Sequence, residues 1–314
     1  MTLLISGGAG FIGPSLIERA RRDGHDAVVI DNFSRGRREH LNASTTIVEA
    51  DLARPESVEH VLNVLGTKKI DQCWHLAANS DIPAGVSDAS VDLRDTFLST
   101  FHFLLLAQRL DARRFFFASS SAVYGDWGSQ RISESLGPLL PISNYGAMKL
   151  ASEAQISAAA ESHLDHAGLY RFPNVVGTPA THGVLLDFVH KLKQDPVRLE
   201  VLGDGTQQKA YLHVSELVDA MWFASQRQVA RRDVLNIGPA DDGVTVRWIA
   251  QQVCERVSPR AQIVFGQGNK GWIGDVPRFR YDTERLGALG WRPVMDSKAA
   301  IVRAIDEIAH QEGV

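Results

Sequence analysis

The first thirteen residues constrain this chain more than any other stretch. A short apolar run, Thr2-Leu3-Leu4-Ile5-Ser6, leads into Gly7-Gly8-Ala9-Gly10-Phe11-Ile12-Gly13, and a helical pattern follows from Ser15 to Arg22. Gly7, Gly10 and Gly13 have the spacing G-x-x-G-x-x-G. Glycine there permits a tight turn, lets backbone N–H groups approach a phosphate, and lets helix and strand pack closely. The positive end of the helix dipole then faces a pyrophosphate. Strand, glycine loop and helix in that order predict a dinucleotide-binding β-α-β unit.

The chain continues in that rhythm. Ala27 to Ile30 reads as a second strand ending at Asp31, which lies 18 residues after Gly13. An acidic residue at that distance hydrogen-bonds an adenosine ribose and repels a 2′-phosphate, which favours NAD over NADP. Arg35, Arg37 and Arg38 are the opposing signal and read as a solvated basic loop. Further strands are expected at Thr46–Ala50, Ile70–Leu76, Arg114–Ala118 and Gly168–Phe172, with helices at Glu56–Leu65, Thr96–Leu110 and Asn144–His163. Alternating strands and helices imply a parallel sheet covered on both faces. The fold class is therefore α/β: a Rossmann doubly wound sheet of about seven strands with a smaller α/β lobe.

The rhythm changes after Pro173. Residues 1–172 plus 213–238 are expected to form the NAD-binding domain, with Val234–Gly238 joining the first sheet. Residues 173–212 plus 239–314 are expected to form a small lobe closing a cleft. The chain's 314 residues suffice for both. The formal net charge of −4 gives no general pull toward nucleic acid or an anionic membrane. The apolar runs are too short to span a bilayer. Cys73 and Cys254 suggest neither a metal site nor a disulfide framework, which points to a cytoplasmic setting. No set of carboxylates and histidines has metal-ligand spacing. The helix from Thr96 is apolar over more than one stripe, with Phe97, Phe101, Leu104, Leu105 and Gln108 on one side. It reads either as a core helix or as a homodimer contact.

The chemistry is expected at Ser119-Ser120-Ser121-Ala122-Val123-Tyr124-Gly125 and Tyr145-Gly146-Ala147-Met148-Lys149. Tyr145 and Lys149 are four apart, which places them on one helix face one turn apart. An ammonium beside a phenol favours the phenolate, so Tyr145 could act as a base near neutral pH.

Together these motifs resemble the extended short-chain dehydrogenase/reductase superfamily, specifically the NAD-dependent nucleotide-sugar epimerases related to UDP-glucose/UDP-galactose 4-epimerase. The resemblance is carried by Gly7 to Gly13, Asp31-Asn32, Asp51-Leu52, His75-Leu76-Ala77-Ala78, Ser119 to Gly125 and Tyr145-x-x-x-Lys149. It continues through Arg171 to Gly177, Gly203-Asp204-Gly205-Thr206-Gln207, Asn236-Ile237-Gly238 and Gly274-Asp275-Val276-Pro277. It implies a tightly held NAD, a nucleotide-diphosphate sugar as substrate and inversion at the sugar C4 through a 4-keto intermediate. The glycines with Phe11 and Ile12 would cradle the pyrophosphate. Asp31 and Asn32 would hold the adenosine ribose, Asp51 and Leu52 would border the adenine, and Ala77 and Ala78 would line the cofactor channel. Tyr145 would be the base, Lys149 would bind the nicotinamide ribose and lower the tyrosine pKa, and Ser120 would supply the hydroxyl, with Ser121 as the alternative. Ser80, Ser120, Ser121 and Asn174 would contact the substrate.

Three departures from the family pattern bear on the reaction and the sugar. Ser121-Ala122 stands where 4,6-dehydratases usually carry Asp-Glu, which favours epimerisation over dehydration. Lys209 and Trp272 stand at two positions that are often Arg for the substrate phosphates. Phe279 replaces a frequent Tyr bordering the sugar, and Thr96 replaces a common Asn near the cofactor.

Overall fold

The apolar runs pair as parallel strands, the central ones buried on both faces. The computed structural model describes residues 1–128, 130–227, 230–269, 276 and 280–314. Its main sheet comprises β1 (Thr2–Ser6), β2 (Asp26–Asp31), β3 (Thr46–Glu49), β4 (Gln72–His75), β5 (Arg114–Ala118), β6 (His166–Arg171) and β7 (Arg232–Asn236). Their order is β3-β2-β1-β4-β5-β6-β7, and every pairing is parallel. Parallel neighbours need crossovers, and helices supply them. These include α1 (Gly13–Arg22), α2 (Glu56–Leu65), α3 (Ser99–Arg109) and α4 (Asn144–Ser162).

Side chains alternate across each strand, so one strand feeds two cores. Leu4, Val28, Phe115 and Phe117 pack with Leu106 and Ile156 on one face. Leu3, Ile5, Val29, Trp74 and Phe116 pack with Leu16, Met221 and Trp222 on the other. Fully burying each such side chain contributes about 2 kcal/mol. The strand order reverses between β1 and β4, and in such sheets that switch point is where ligands bind.

Beyond β6, α5 (Val184–Gln194), α6 (Val214–Ser225), α7 (Val246–Val257) and α8 (Ser297–Glu312) follow. α6 covers the main sheet. The other three enclose a separate apolar cluster with the parallel pair Arg198–Val201 and Gln262–Phe265. β7 joins the first sheet beside β6, as its sequence predicts.

One boundary differs from expectation. Leu93–Leu98 is a π-helical turn, and the regular helix starts only at Ser99. Two hydroxyls bond back into this turn: Ser99 Oγ donates to Asp95 O at 2.7 Å, and Thr100 Oγ1 to Thr96 O at 2.8 Å. Such back-bonding competes with the regular helical ladder. Among the described residues, no helix is long and apolar enough to cross a membrane. Cys73 and Cys254 are both free and buried.

Candidate active site

The switch point is closed by contacts too tight for any side chain. Gly7 adopts φ +68°, and a Cβ there would lie 2.7 Å from the Ala77 amide nitrogen at the end of β4. A Cβ on Gly13 would lie 2.2 Å from the Gly8 carbonyl oxygen, so α1 rests directly on the loop. The Gly10 amide donates to Gly7 O at 3.2 Å, and Phe11 and Ile12 are half-buried above it. The first turn of α1 has neither a side-chain cap nor an acidic residue. Its free N–H groups and positive dipole end suit a pyrophosphate, and the cradle has room for one because no Cβ fills it.

Asp31 ends β2 buried. Its carboxylate accepts the Ala9 amide from the glycine loop and the Phe33 amide from its own turn, each at 2.9 Å. Burial pushes its pKa up, opposed by those two amides. Two amides leave lone pairs for ribose hydroxyls. Asn32 donates to Asp51 Oδ1 at 3.5 Å, so these two residues border one pocket edge. Leu52 is buried beneath them, its carbonyl bonded to His102 Nδ1 at 2.8 Å. The three arginines lie exposed, each in an ion pair. Arg35 pairs with Asp81 at 2.8 Å, Arg37 with Glu39 at 3.8 Å, and Arg38 with Glu49. Ala77 and Ala78 are half-buried, and the Ala77 amide reaches Ser6 Oγ at 3.4 Å.

The three serines diverge. Ser119 is buried, and its hydroxyl donates to Glu153 Oε1 at 2.5 Å. Ser120 caps the following turn by accepting the Ala122 amide at 3.2 Å, and its hydroxyl stands by the Tyr145 phenol, favouring its ionised form. Ser121 stands by the Tyr281 phenol. Ser143 caps α4 by accepting the Gly146 amide at 3.1 Å. Gly146 then permits a close approach, since a Cβ there would lie 2.4 Å from Ala122 O. That approach sets Tyr145 beside Ser120.

Lys149, one turn further along α4, is buried. Its Nζ donates to Ala118 O at 2.6 Å and lies 4.5 Å from the Phe117 ring centroid and 5.7 Å from that of Tyr145. Here the structure corrects the expected electrostatics. Burial pushes the Tyr145 phenol up to about 12, partly offset by Ser120, and the Asp92 charge pushes it higher. Burial pulls Lys149 down to about 7, against Glu153 and Asp92. The ammonium is aimed at a strand carbonyl rather than at the phenol.

The substrate-side residues lie on separate elements. Ser80 is half-buried in the loop after β4. Asn174 is exposed in the strand Asn174–Val176, opposite Tyr211. Lys209 lies half-buried in Gln208–Lys209, paired with Val244–Thr245. Trp272 and Phe279 lie outside the described residues, as do Gly274, Asp275 and Pro277.

Comparison with known proteins fits this geometry. Residues 3–238 match the model of the NAD dependent epimerase/dehydratase family. The chain belongs to that family. Within it, the chain is 30% identical to a UDP-glucose 4-epimerase of Azospirillum brasilense, covering 96% of this chain and 90% of the relative. It is 26% identical to UDP-glucuronic acid decarboxylase 1 of Danio rerio, covering 98% of this chain and 74% of the relative. A crystal structure of a UDP-galactose 4-epimerase superposes with a TM-score of 0.88 at 34% identity, covering 99% of each chain.

The sequence reading placed Arg171 and His75 in family motifs without giving either a role, and it passed over Glu153, Asn79 and Asp92. Arg171 holds Glu153 through two bonds, Nε to Oε1 at 2.9 Å and Nη2 to Oε2 at 2.6 Å. With Ser119 this buried triad ties the ends of β5 and β6 to α4. Glu153 sits four residues after Lys149, a spacing visible in the sequence. His75 is buried between Ser6 Oγ at 2.6 Å and Thr100 Oγ1 at 2.9 Å. Burial and the Lys149 charge hold it neutral. Asn79 and Asp92 had no local signal.

Proposed function

We propose that this protein inverts C4 of a nucleotide-diphosphate sugar, a UDP-sugar, by NAD-dependent oxidation to a 4-keto intermediate and re-reduction. The observation that carries this reading is the placement of Ser120 by Tyr145 at the end of β5, beside the switch point where Gly7 meets Ala77. Gly7, Gly10, Phe11, Ile12 and Gly13 hold the pyrophosphate of NAD. Asp31 and Asn32 hold the ribose, Asp51 and Leu52 flank the adenine, and Ala77, Ala78 and Lys149 line the nicotinamide end. Bound NAD supplies the hydride acceptor and donor at C4.

Tyr145 takes the proton from the C4 hydroxyl and later returns it. Ser120 donates to the same oxygen as it becomes a carbonyl and is already oriented toward Tyr145. Burial holds the Tyr145 phenol at about 12, so the group must first ionise to take the C4 proton, and the phenol so formed returns it to the 4-keto oxygen. The neutral His75 beneath the site takes no part in that transfer. Ser121 and Ala122 offer no carboxyl group for eliminating water, which supports epimerisation over dehydration.

Ser80, Ser121, Asn174, Lys209, Trp272 and Phe279 are assigned to the sugar nucleotide. Residues 1–172 plus 213–238 carry NAD, and residues 173–212 plus 239–314 carry the sugar nucleotide. The active form is a homodimer joined through α3 and α4. Supporting this, Phe101 and Leu105 are 41% and 36% exposed. They line an apolar groove of about 570 Å³ with Phe97, Ala151 and Ala158. The two free cysteines fit a cytoplasmic setting.

The test is incubation of the purified protein with UDP-glucose, UDP-N-acetylglucosamine, UDP-glucuronate and deoxy-sugar nucleotides, without added cofactor. Inversion at C4 supports the reading. Carbon dioxide release from UDP-glucuronate, or no interconversion across the panel, overturns it.

A further inference from the structure

β1 lies between β2 and β4 in the sheet, so the loops leaving β2 and β4 flank the glycine loop on its two sides. Both touch it. On the β2 side the Arg37 amide donates to Ala9 O at 3.1 Å, and a Cβ on Gly36 would lie 2.9 Å from the Ala9 carbonyl carbon. On the β4 side the Ala77 backbone closes on Gly7. Strands two apart in a sheet are separated by about 10 Å. The two loops nevertheless meet, because Arg35 Nη2 donates to Asp81 Oδ2 at 2.8 Å. This ion pair joins the two sides of the cleft that holds the cradle.

Both ends of the pair are fixed. Asp81 divides its oxygens: Oδ1 accepts the Ala84 amide at 3.1 Å and caps the helix Ile82–Ser87, while Oδ2 takes Arg35. Its own amide donates to Asn79 Oδ1 at 2.9 Å, and its carbonyl accepts Asn79 Nδ2 at 2.8 Å. Asn79 is buried, and its side chain also bonds Asp92 at 2.9 Å. Arg35 precedes Gly36, which is pressed onto the glycine loop. A third segment, the loop before α5, sends His182 edge-on against Phe11, with ring centroids 6.2 Å apart. Loops from three parts of the chain thus converge on the glycine loop.

We propose that Arg35 and Asp81 are cofactor-retaining residues, whose ion pair straps the cleft across the NAD site and slows release of the dinucleotide. This rests on the assignment of the glycine loop as the NAD cradle. A cofactor that is oxidised and reduced within one turnover has no need to leave, so slow release costs the reaction nothing. The strap acts on the rate of departure, which is where most affinity differences between related complexes lie. Its side chains are 53% and 37% exposed, so its effect is modest and is screened by salt.

The test loads the protein with isotope-labelled NAD, chases with excess unlabelled NAD, and follows the label left on the protein. Asp81→Asn removes the charge and keeps the helix cap, and Asp81→Ser does the same should the first not fold. Arg35→Gln removes the other charge, and Arg35→Lys keeps it. Release is expected to be about 2- to 5-fold faster in Asp81→Asn and in Arg35→Gln, no faster still in the double variant, and close to the parent rate in Arg35→Lys. Salt at 1 M is expected to speed release from the parent but not from the uncharged variants. Arg37→Gln, which breaks a pair lying wholly on the β2 side, is expected to leave the rate unchanged. Equal release from parent and variants overturns the strap. So does acceleration in Arg35→Gln without acceleration in Asp81→Asn, which would show Arg35 gripping the dinucleotide itself. A folded parent that binds no NAD defeats the cradle assignment and the strap together.

Discussion

Lys149 Nζ donates a 2.6 Å hydrogen bond to the carbonyl oxygen of Ala118, the last residue of β5. The bond fixes the one buried lysine among the described residues to the strand that delivers the serines. Its pKa falls from the ordinary 10.5 to about 7, because burial disfavours the charge. Between those two pH values the unfolded chain binds more protons at this position than the native one. Stability therefore rises with pH across that window and carries the full penalty below it. Lys149→Met removes the penalty. In protein freed of nucleotide, the stability of this variant relative to the parent is expected to be greatest at pH 6 and to shrink toward pH 10. Urea midpoints at pH 6, 8 and 10 measure this, and a pH-independent difference would contradict the assignment.

Tyr145→Phe removes the proton carrier without touching the glycine cradle. The expected result is a loss of about 10²- to 10⁴-fold in kcat. Ser120→Ala is expected to lose about 10²-fold. Nucleotide content, read from absorbance after acid release, should match the parent in both. A fully active Tyr145→Phe enzyme would remove Tyr145 from the mechanism.

Gly146 allows α4 to approach the turn after Ser120. Gly146→Ala places a Cβ 2.4 Å from Ala122 O, a backbone atom that cannot swing aside. We expect a loss of about 1–3 kcal/mol in unfolding free energy from overpacking. Because Tyr145 then moves away from Ser120, kcat should fall with little change in nucleotide content. Equilibrium urea unfolding and initial rates on one preparation give both numbers.

The Glu153–Arg171 pair is bidentate, with side chains only 5% and 6% exposed. Removing one partner strands the other charge. Glu153→Ala should therefore destabilise the fold by about 3–5 kcal/mol. The double variant Glu153→Leu with Arg171→Met should lose much less than the sum of the singles, since neither charge is then left unpaired. Additive losses would show that the two residues act independently.

How far the sequence discloses this site depends on how local each feature is. The glycine loop, Asp31 and the β-α-β rhythm are local patterns, and the strand runs predicted from them pair in one parallel sheet. The four-residue spacing of Tyr145 and Lys149 correctly sets them on one helix, but the direction of the lysine was hidden. Whether Nζ points at a phenol or at Ala118 O is decided by packing of α4 on β5. The start of α3 was misread because Ser99 and Thr100 look like ordinary helix residues until their hydroxyls bond back to Asp95 and Thr96. Asp92 carries no local signal in the sequence. Only the helix Ile82–Ser87 laid across it, through Gly85, makes it a buried charge.

The central claim is that C4 is oxidised and re-reduced on one enzyme without exchange with water. The most direct measurement uses UDP-glucose deuterated at C4, incubated with the purified protein and no added cofactor, and reads the product by mass spectrometry and proton NMR. The account predicts UDP-galactose that retains its deuterium at C4. Product with hydrogen from solvent at C4, or inversion that persists unchanged in Tyr145→Phe, would contradict it.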